Sequence, residues 1–357
     1  MKMTNTSRVL TAGLSRRAFL GASLASAATL ALAGCNSGSG SADGSTDASS
    51  DSKAASGEKT KITFCLDYTP NTNHTGIYVA QNKGFFADEG LEVEIVQPAD
   101  GTAEGAIGTG QAQLGVSYQD YLAAAYDAGN TGLTAVAAVI QHNTSGIMSR
   151  AEDGITHAAL MEDHVYTTWD MAVEQATIKQ VMTTDGGDFS KLKMVPFTVD
   201  DEVQGLKANM FDCVWVYEGW AVQNAAVQDY PVNYFSFKDM DDVFDFYTPV
   251  LAANNDFMKS NPDAVKAFLR AAKKGYEFAV EHPEDAAQIL CDEVPELDSA
   301  LVEASAKYLA DQYTADASSW GVIDGKRWAA YFQWLNDNDL VENKLDVNAG
   351  FDTSYLA

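Results

Sequence analysis

Leu66-Asp67-Tyr68-Thr69-Pro70-Asn71-Thr72-Asn73-His74-Thr75-Gly76, continued by Ile77-Tyr78-Val79-Ala80 and Lys83-Gly84-Phe85-Phe86, sets strand, polar turn and helix in the order that opens a cleft. Ile62, Phe64 and Leu66 alternate with Lys61, Thr63 and Cys65, the period-two pattern of a strand, while Pro70 and its neighbouring asparagines supply turn chemistry. The carboxyl end of a strand therefore meets a helix start. In open α/β sheets ligands bind at such places, because unpaired helix N–H groups and loop side chains converge there. The plainer alternative is an ordinary polar connection between strand and helix.

Outward from this stretch, Leu91-Glu92-Val93-Glu94-Ile95-Val96 alternates as a second strand. A short helix opens at Gly101-Thr102-Ala103-Glu104 and ends near Gly110, and a third strand covers 113–117. Residues 119–128 read as helix, and 133–140 as the near-continuous apolar run of a strand buried on both faces. A second series starts near His164: Val165-Tyr166-Thr167-Thr168 as strand, Asp170 as helix N-cap, 171–184 as helix, 192–197 and 212–217 as strands, 219–228 as helix. Such alternation implies doubly wound sheets, and its repetition implies a second lobe. Beyond Thr248-Pro249-Val250-Leu251-Ala252-Ala253 the chain turns mostly helical, with Asn261 as cap and Pro262 at the first helical position. Val265, Phe268, Leu269, Ala272, Tyr276, Ala279 and Val280 recur at three- and four-residue steps, marking one buried face that ends before His282-Pro283. Residues 299–312 and 328–336 are similarly amphipathic, so this tail is expected to return to the first lobe. The expected architecture is α/β: two doubly wound lobes, 58–145 with 249–357 and 146–248, joined by a two-crossing hinge near residues 146 and 248.

The amino terminus carries an address. Ser15-Arg16-Arg17-Ala18-Phe19-Leu20 is a twin-arginine pattern, and the apolar stretch over 18–33 contains Gly and Ser and falls short of the ~20 residues that span a bilayer. It leads into Leu32-Ala33-Gly34-Cys35, which resembles a bacterial lipobox and implies that Cys35 becomes the lipidated first residue of the mature chain. Two acyl chains anchor stably where one does not. Residues 1–35 thus read as a lipoprotein signal, with twin-arginine export of a folded protein expected. Residues 36–57 hold eight Ser, four Gly and four Ala without an aromatic or branched aliphatic residue, so they cannot offset their ordering entropy and read as a flexible tether. Such a coil spans roughly 25 Å r.m.s..

Four positive charges and no acid leave with the signal, taking the formal charge from −27 to −31. A surface this acidic repels nucleic acid and anionic lipid. Arg150, Arg270 and Arg327 are the only arginines beyond residue 35, and Lys83 is the sole Lys or Arg between Ile62 and Ser149. An arginine fork for sulfonate, phosphate or carboxylate is therefore hard to assemble, which favours a neutral or cationic solute. Helix N-termini can still hold anions. Cys65, Cys213 and Cys291 are an odd, widely spaced set without disulfide or zinc pattern, and the five histidines have no metal-ligand spacing.

The opening run, together with Asp185-Gly186-Gly187-Asp188-Phe189-Ser190, Asn261-Pro262-Asp263 and Tyr308-Leu309-Ala310-Asp311-Gln312-Tyr313, resembles the thiamine-pyrimidine-precursor binding proteins of bacterial ABC importers, the ThiY type. It also resembles the yeast hydroxymethylpyrimidine phosphate synthases that share their fold. The resemblance covers the whole body. It implies a type II periplasmic-binding fold and a lipid-anchored monomer without a cofactor. Such a protein closes on an aminopyrimidine, such as hydroxymethylpyrimidine or its formylaminomethyl relative, and docks on a membrane permease. The alternative within the same fold is another small solute, such as a sulfonate or taurine. The synthases use a Lys and a His in the segment matching Ser117-Tyr118-Gln119-Asp120-Tyr121-Leu122, and a run of cysteines; this chain has none of these there, so no enzyme activity is expected.

Four segments carry aromatic or acidic side chains to expected strand ends: Asp67-Tyr68-Thr69-Pro70, Ser117-Tyr118-Gln119-Asp120, Thr168-Trp169-Asp170 and Trp215-Val216-Tyr217-Glu218-Gly219-Trp220. Aromatic faces suit a flat ring, and a carboxylate suits an exocyclic amine beside a ring nitrogen. The candidate ligand-binding residues are Tyr68, Asn71, His74, Ser117, Tyr118, Trp169, Tyr217 and Glu218. Glu218 is the expected amine partner, by its strand-end place and by the family's Glu at the matching position; alternatively it only favours a helix N-terminus. Tyr68 stands where the family usually has Trp. Asn71 and Asn73 either donate to ligand or cap the helix that follows.

Overall fold

Strand β1 (Thr60–Cys65) runs parallel to β2 (Leu91–Val96) and β3 (Leu114–Ser117) in the computed structural model, which describes residues 59–98, 102–197 and 201–356. The expected signal, Cys35 and the tether lie outside the described residues. The strands continue as β4 (Leu133–Ala138), β5 (Ser145–Arg150), β6 (Val165–Thr168), β7 (Lys193–Pro196), β8 (Cys213–Tyr217), β9 (Val232–Ser236) and β10 (Val250–Asn254). The helices are α1 (Thr75–Asn82), α2 (Phe85–Asp88), α3 (Ala103–Gly108), α4 (Gln119–Asp127), α5 (Ala172–Thr184), α6 (Glu202–Lys207), α7 (Gln223–Val227), α8 (Asn255–Ser260), α9 (Pro262–Glu281), α10 (Pro283–Glu293), α11 (Ser299–Tyr313) and α12 (Gly325–Asp337). They form two five-stranded sheets, β2-β1-β3-β10-β4 and β7-β6-β8-β5-β9. Each holds one strand antiparallel to its neighbours, β10 in the first and β5 in the second. β10 follows the whole second sheet in sequence, so the chain returns to the first sheet to complete it.

The helical tail covers the first sheet. Phe268 of α9 stacks on Phe64 of β1 at 5.4 Å and on Phe86 of α2 at 4.9 Å, joining strand and helices in one apolar core. Crossing of α1 and α9 depends on two glycines: a Cβ on Gly275 would collide with the Gly76 carbonyl, and one on Gly76 with the Tyr276 ring. The chain leaves the first sheet through residues 139–144 and returns through 237–249. These two crossings are tied together. Asn143 donates to the Phe244 carbonyl at 2.7 Å, His142 bridges Asp245 at 2.7 Å and Asp316 at 2.9 Å, and Arg327 donates to Asp245 at 2.8 Å while lying over the Tyr247 ring at 4.1 Å.

One expected cap is corrected. Asp170 has φ +61, in the left-handed region, and the N-cap of α5 is Met171. The carboxylate of Glu174, in the first turn, reaches back and accepts from Trp169 N–H at 3.1 and 3.0 Å. After β8 the chain makes a wide turn over Glu218–Val222 before α7, so the expected helix at 219–228 forms in two pieces. Cys65 and Cys213 are buried thiols within strands. No described helix is long and apolar enough to cross a membrane.

Candidate functional site

Around Asp67 the polar turn builds a frame. The Asn71 side chain accepts Asn73 N–H at 2.9 Å and donates to the Thr69 carbonyl at 3.1 Å, while Asn71 N–H donates to His74 Nδ1 at 3.1 Å. His74 Nε2 therefore carries the proton and donates to Asp67 Oδ1 at 2.6 Å. The other oxygen of Asp67 accepts the Tyr118 hydroxyl. Burial opposes ionisation of Asp67, but the bonds from His74 and Tyr118 outweigh it and hold the carboxyl below its ordinary range. Burial, then the Asp67 charge, push the Tyr118 phenol well above its own. His74 is wholly buried with both ring nitrogens engaged, and Ser117 is buried with its hydroxyl donating to Glu104 at 2.6 Å. Asn71, His74 and Ser117 thus spend their polar atoms on the protein: they position Asp67, Tyr118 and the loop between them.

Aromatic side chains from both sheets meet above this frame. The Tyr118 ring, at the end of β3, lies nearly parallel to that of Tyr217, at the end of β8, with centroids 6.4 Å apart and 26° between planes. Tyr121 meets Tyr118 edge-on at 5.1 Å, and Trp169 lies 5.6 Å from Trp215. Tyr68, Tyr121, Trp169 and Tyr217 are 69%, 45%, 48% and 37% exposed. Large exposed rings at facing strand ends are available surface for a flat solute. Trp169 is held in place through Glu174, which also accepts the hydroxyls of Tyr166 at 2.6 Å and Thr168 at 2.8 Å.

Two carboxylates flank these rings on different sides. Alternation along β8 sends Trp215 and Tyr217 to one face and Val214 and Val216 to the other. Glu218 belongs with the second set: it accepts the Tyr308 hydroxyl at 2.7 Å, and its charge, after burial, pushes up the phenol of Tyr234. The neighbouring Gly219 carbonyl accepts from Ser305, whose hydroxyl also meets Thr72 at 2.6 Å, so this turn rests on α11. The carboxyl beside Tyr217 is instead Asp120, in the first turn of α4. Gln119 fixes that turn by exchanging hydrogen bonds with Tyr247 and donating to the Trp328 carbonyl at 2.8 Å. Burial pushes the Asp120 carboxyl up to about 6; the backbone N–H groups of Asp120 and Tyr121 pull it back in part, and Glu104 adds repulsion.

Glu104, Asp120, Glu174 and Tyr308 were not among the candidates. Asp120 lies in one of the four strand-end segments, which is its signal; the others act from helices with no local sign of their partners. Arg150 pairs with Asp212 and Asp153, Arg270 with Glu89 and Arg327 with Asp245, so the described arginines all have partners within the protein. A surface cavity of about 500 Å³ lies at the crossings between His142, Tyr247, Asp316 and Arg327, whose charged groups are largely paired with one another, and it is separate from the facing rings. Among the described residues no group of His, Cys, Asp and Glu could hold a metal ion.

The profile of the family described as NMT1/THI5 like matches residues 71–286. The formylaminopyrimidine-binding protein of Halalkalibacterium halodurans is 27% identical over 298 residues, covering 80% of this chain and 88% of that protein. The 4-amino-5-hydroxymethyl-2-methylpyrimidine phosphate synthase THI11 of Saccharomyces cerevisiae is 24% identical over 252 residues, covering 68% of this chain and 73% of the synthase. Among solved structures, the periplasmic aliphatic sulphonate binding protein SsuA from Escherichia coli superposes with a TM-score of 0.64 at 15% identity, over 81% of this chain and 96% of that one. The two-sheet architecture is therefore the type II periplasmic-binding fold.

Proposed function

The chain belongs to the NMT1/THI5 like family, and on that premise we propose that it is an extracytoplasmic solute-binding protein of an ABC importer. It binds an aminopyrimidine thiamine precursor and delivers it to the permease. The observation that carries this reading is the pair of facing rings, Tyr118 and Tyr217, with carboxyl groups and no arginine beside them. A flat, amine-bearing ring stacks between such walls and donates to such acids. Tyr68 and Trp169 extend the walls, Glu218 offers a second acceptor from the far sheet, and Asn71, His74 and Ser117 brace the near side. The lobes, residues 58–145 with 249–357 and 146–248, close on the solute about the two crossings. Support for binding over synthesis comes from Ser117-Tyr118-Gln119-Asp120-Tyr121-Leu122, which holds neither Lys nor His. The protein acts as a monomer, exported by the twin-arginine route and anchored through lipid on Cys35.

A thermal-shift and denaturation screen of the body from residue 57 tests this, with 4-amino-5-hydroxymethyl-2-methylpyrimidine, formylaminopyrimidine, thiamine, taurine and alkanesulfonates. A ligand present at 100 times its Kd adds about 2.7 kcal/mol of stability. Stabilisation by a sulfonate and by no aminopyrimidine would overturn the assignment.

A further inference from the structure

Three buried side-chain atoms on the elements around Tyr217 have no hydrogen-bond partner, Asp120 Oδ1, Ser145 Oγ and Trp215 Nε1, and the Thr248 hydroxyl is turned to the Tyr217 phenol. Ser145 pairs with Tyr217 across β5 and β8, and Trp215 lies two residues back on the same face of β8. Asp120 and Thr248 approach the Tyr217 phenol from α4 and from the segment before β10. Both sheets' sides thus contribute polar groups here. Folded chains leave few buried polar atoms unpaired, so their gathering around one exposed ring marks a place where the partners arrive with a solute.

We propose that Asp120, flanked by Thr248, Ser145 and the indole N–H of Trp215, is the specificity-determining end of the solute site and takes the donor edge of a flat nitrogen heterocycle. This rests on the reading above and deepens it by naming the acid that meets the ring. Trp215 only donates, the hydroxyls donate or accept, and Asp120 supplies the acceptor. An amine next to a ring nitrogen matches Asp120 at two points, provided that one proton is shared between carboxyl and ring. The groups facing Asp120 are Glu104 from α3, Tyr121 from its own helix, Tyr217 from β8 and Tyr331 from α12, with Asp67 beyond the tyrosines. None of these supplies a positive charge, so the solute is the partner that compensates the carboxylate.

Since burial holds the empty carboxyl at about 6, it is mostly ionised at pH 7.5, and binding a neutral aminopyrimidine there takes up close to one proton. Calorimetry of 4-amino-5-hydroxymethyl-2-methylpyrimidine at pH 7.5, in buffers of different ionisation enthalpy, reads this directly. Wild type is expected to take up a proton, and affinity to fall as pH rises above 6. Asp120→Asn should bind at least tenfold more weakly without proton uptake while keeping its circular dichroism. Thr248→Val should bind several-fold more weakly with uptake retained. Unchanged affinity and uptake in Asp120→Asn overturn the assignment of Asp120 alone. Failure of wild type to bind any aminopyrimidine overturns the underlying reading and this one together.

Discussion

Asp120→Asn also reports on the empty protein, through stability. The carboxyl sits at about 6 in the fold against 3.8 for an ordinary Asp, a rise of about two units. At 1.36 kcal/mol per unit, ionising it in place costs about 3 kcal/mol relative to the unfolded chain. Between pH 4 and 6 the folded state binds more protons than the unfolded state, so this residue's contribution is fully present below pH 4. It is lost as pH rises through 6. Asn keeps the shape and does not ionise. Urea denaturation of wild type and variant from pH 3.5 to 8 should therefore show the variant gaining about 3 kcal/mol on wild type across that window, with no further change above pH 7. Other titrating groups are common to both proteins and cancel in the difference. A difference that stays flat within about 0.5 kcal/mol would show that Asp120 is solvated, and the account of the buried carboxyl would fall.

Other consequences can be measured independently. Gly275→Ala forces α9 away from the Gly76 carbonyl and should cost about 1–3 kcal/mol despite the better helix propensity of alanine, read as a lower urea midpoint; an unchanged midpoint refutes the close crossing of α1 and α9. Glu218→Gln removes a charged acceptor shared with Tyr308 and should weaken aminopyrimidine binding by about 1.5–3 kcal/mol in calorimetry, whereas wild-type affinity would leave Glu218 as a contact to α11 only. Tyr217→Ala removes one of the two facing rings and should lose about 0.5–1.5 kcal/mol of stacking beyond the lost area, with Tyr217→Phe largely retaining it. Cys35→Ser should leave solute binding intact and release the protein from membranes or block its processing; membrane retention of a normally processed variant defeats the lipid anchor.

What the chain itself determined is what local chemistry encodes. Alternation placed β1 and β2, Asn261-Pro262 opened α9, and the polar run after Leu66 marked a strand end where side chains gather. Tyr68, Tyr118, Trp169 and Tyr217 were legible as candidates because each sits at a break between periodic segments. Strands β5, β9 and β10 carry no such local signature. Ser145–Arg150 is buried along its whole length, so it lacks alternation, and β10 finds its partners in strands more than a hundred residues earlier. Asp170 looked like a cap, but its left-handed backbone passes that place to Met171, with Glu174 reaching back. Only the tertiary structure decided that Glu218 bonds Tyr308 while the charge of Asp120 lies near Tyr217. Those pairings join residues about ninety or more apart, and no periodicity along the chain records which carboxyl a distant ring will face or which polar atom burial will leave without a partner.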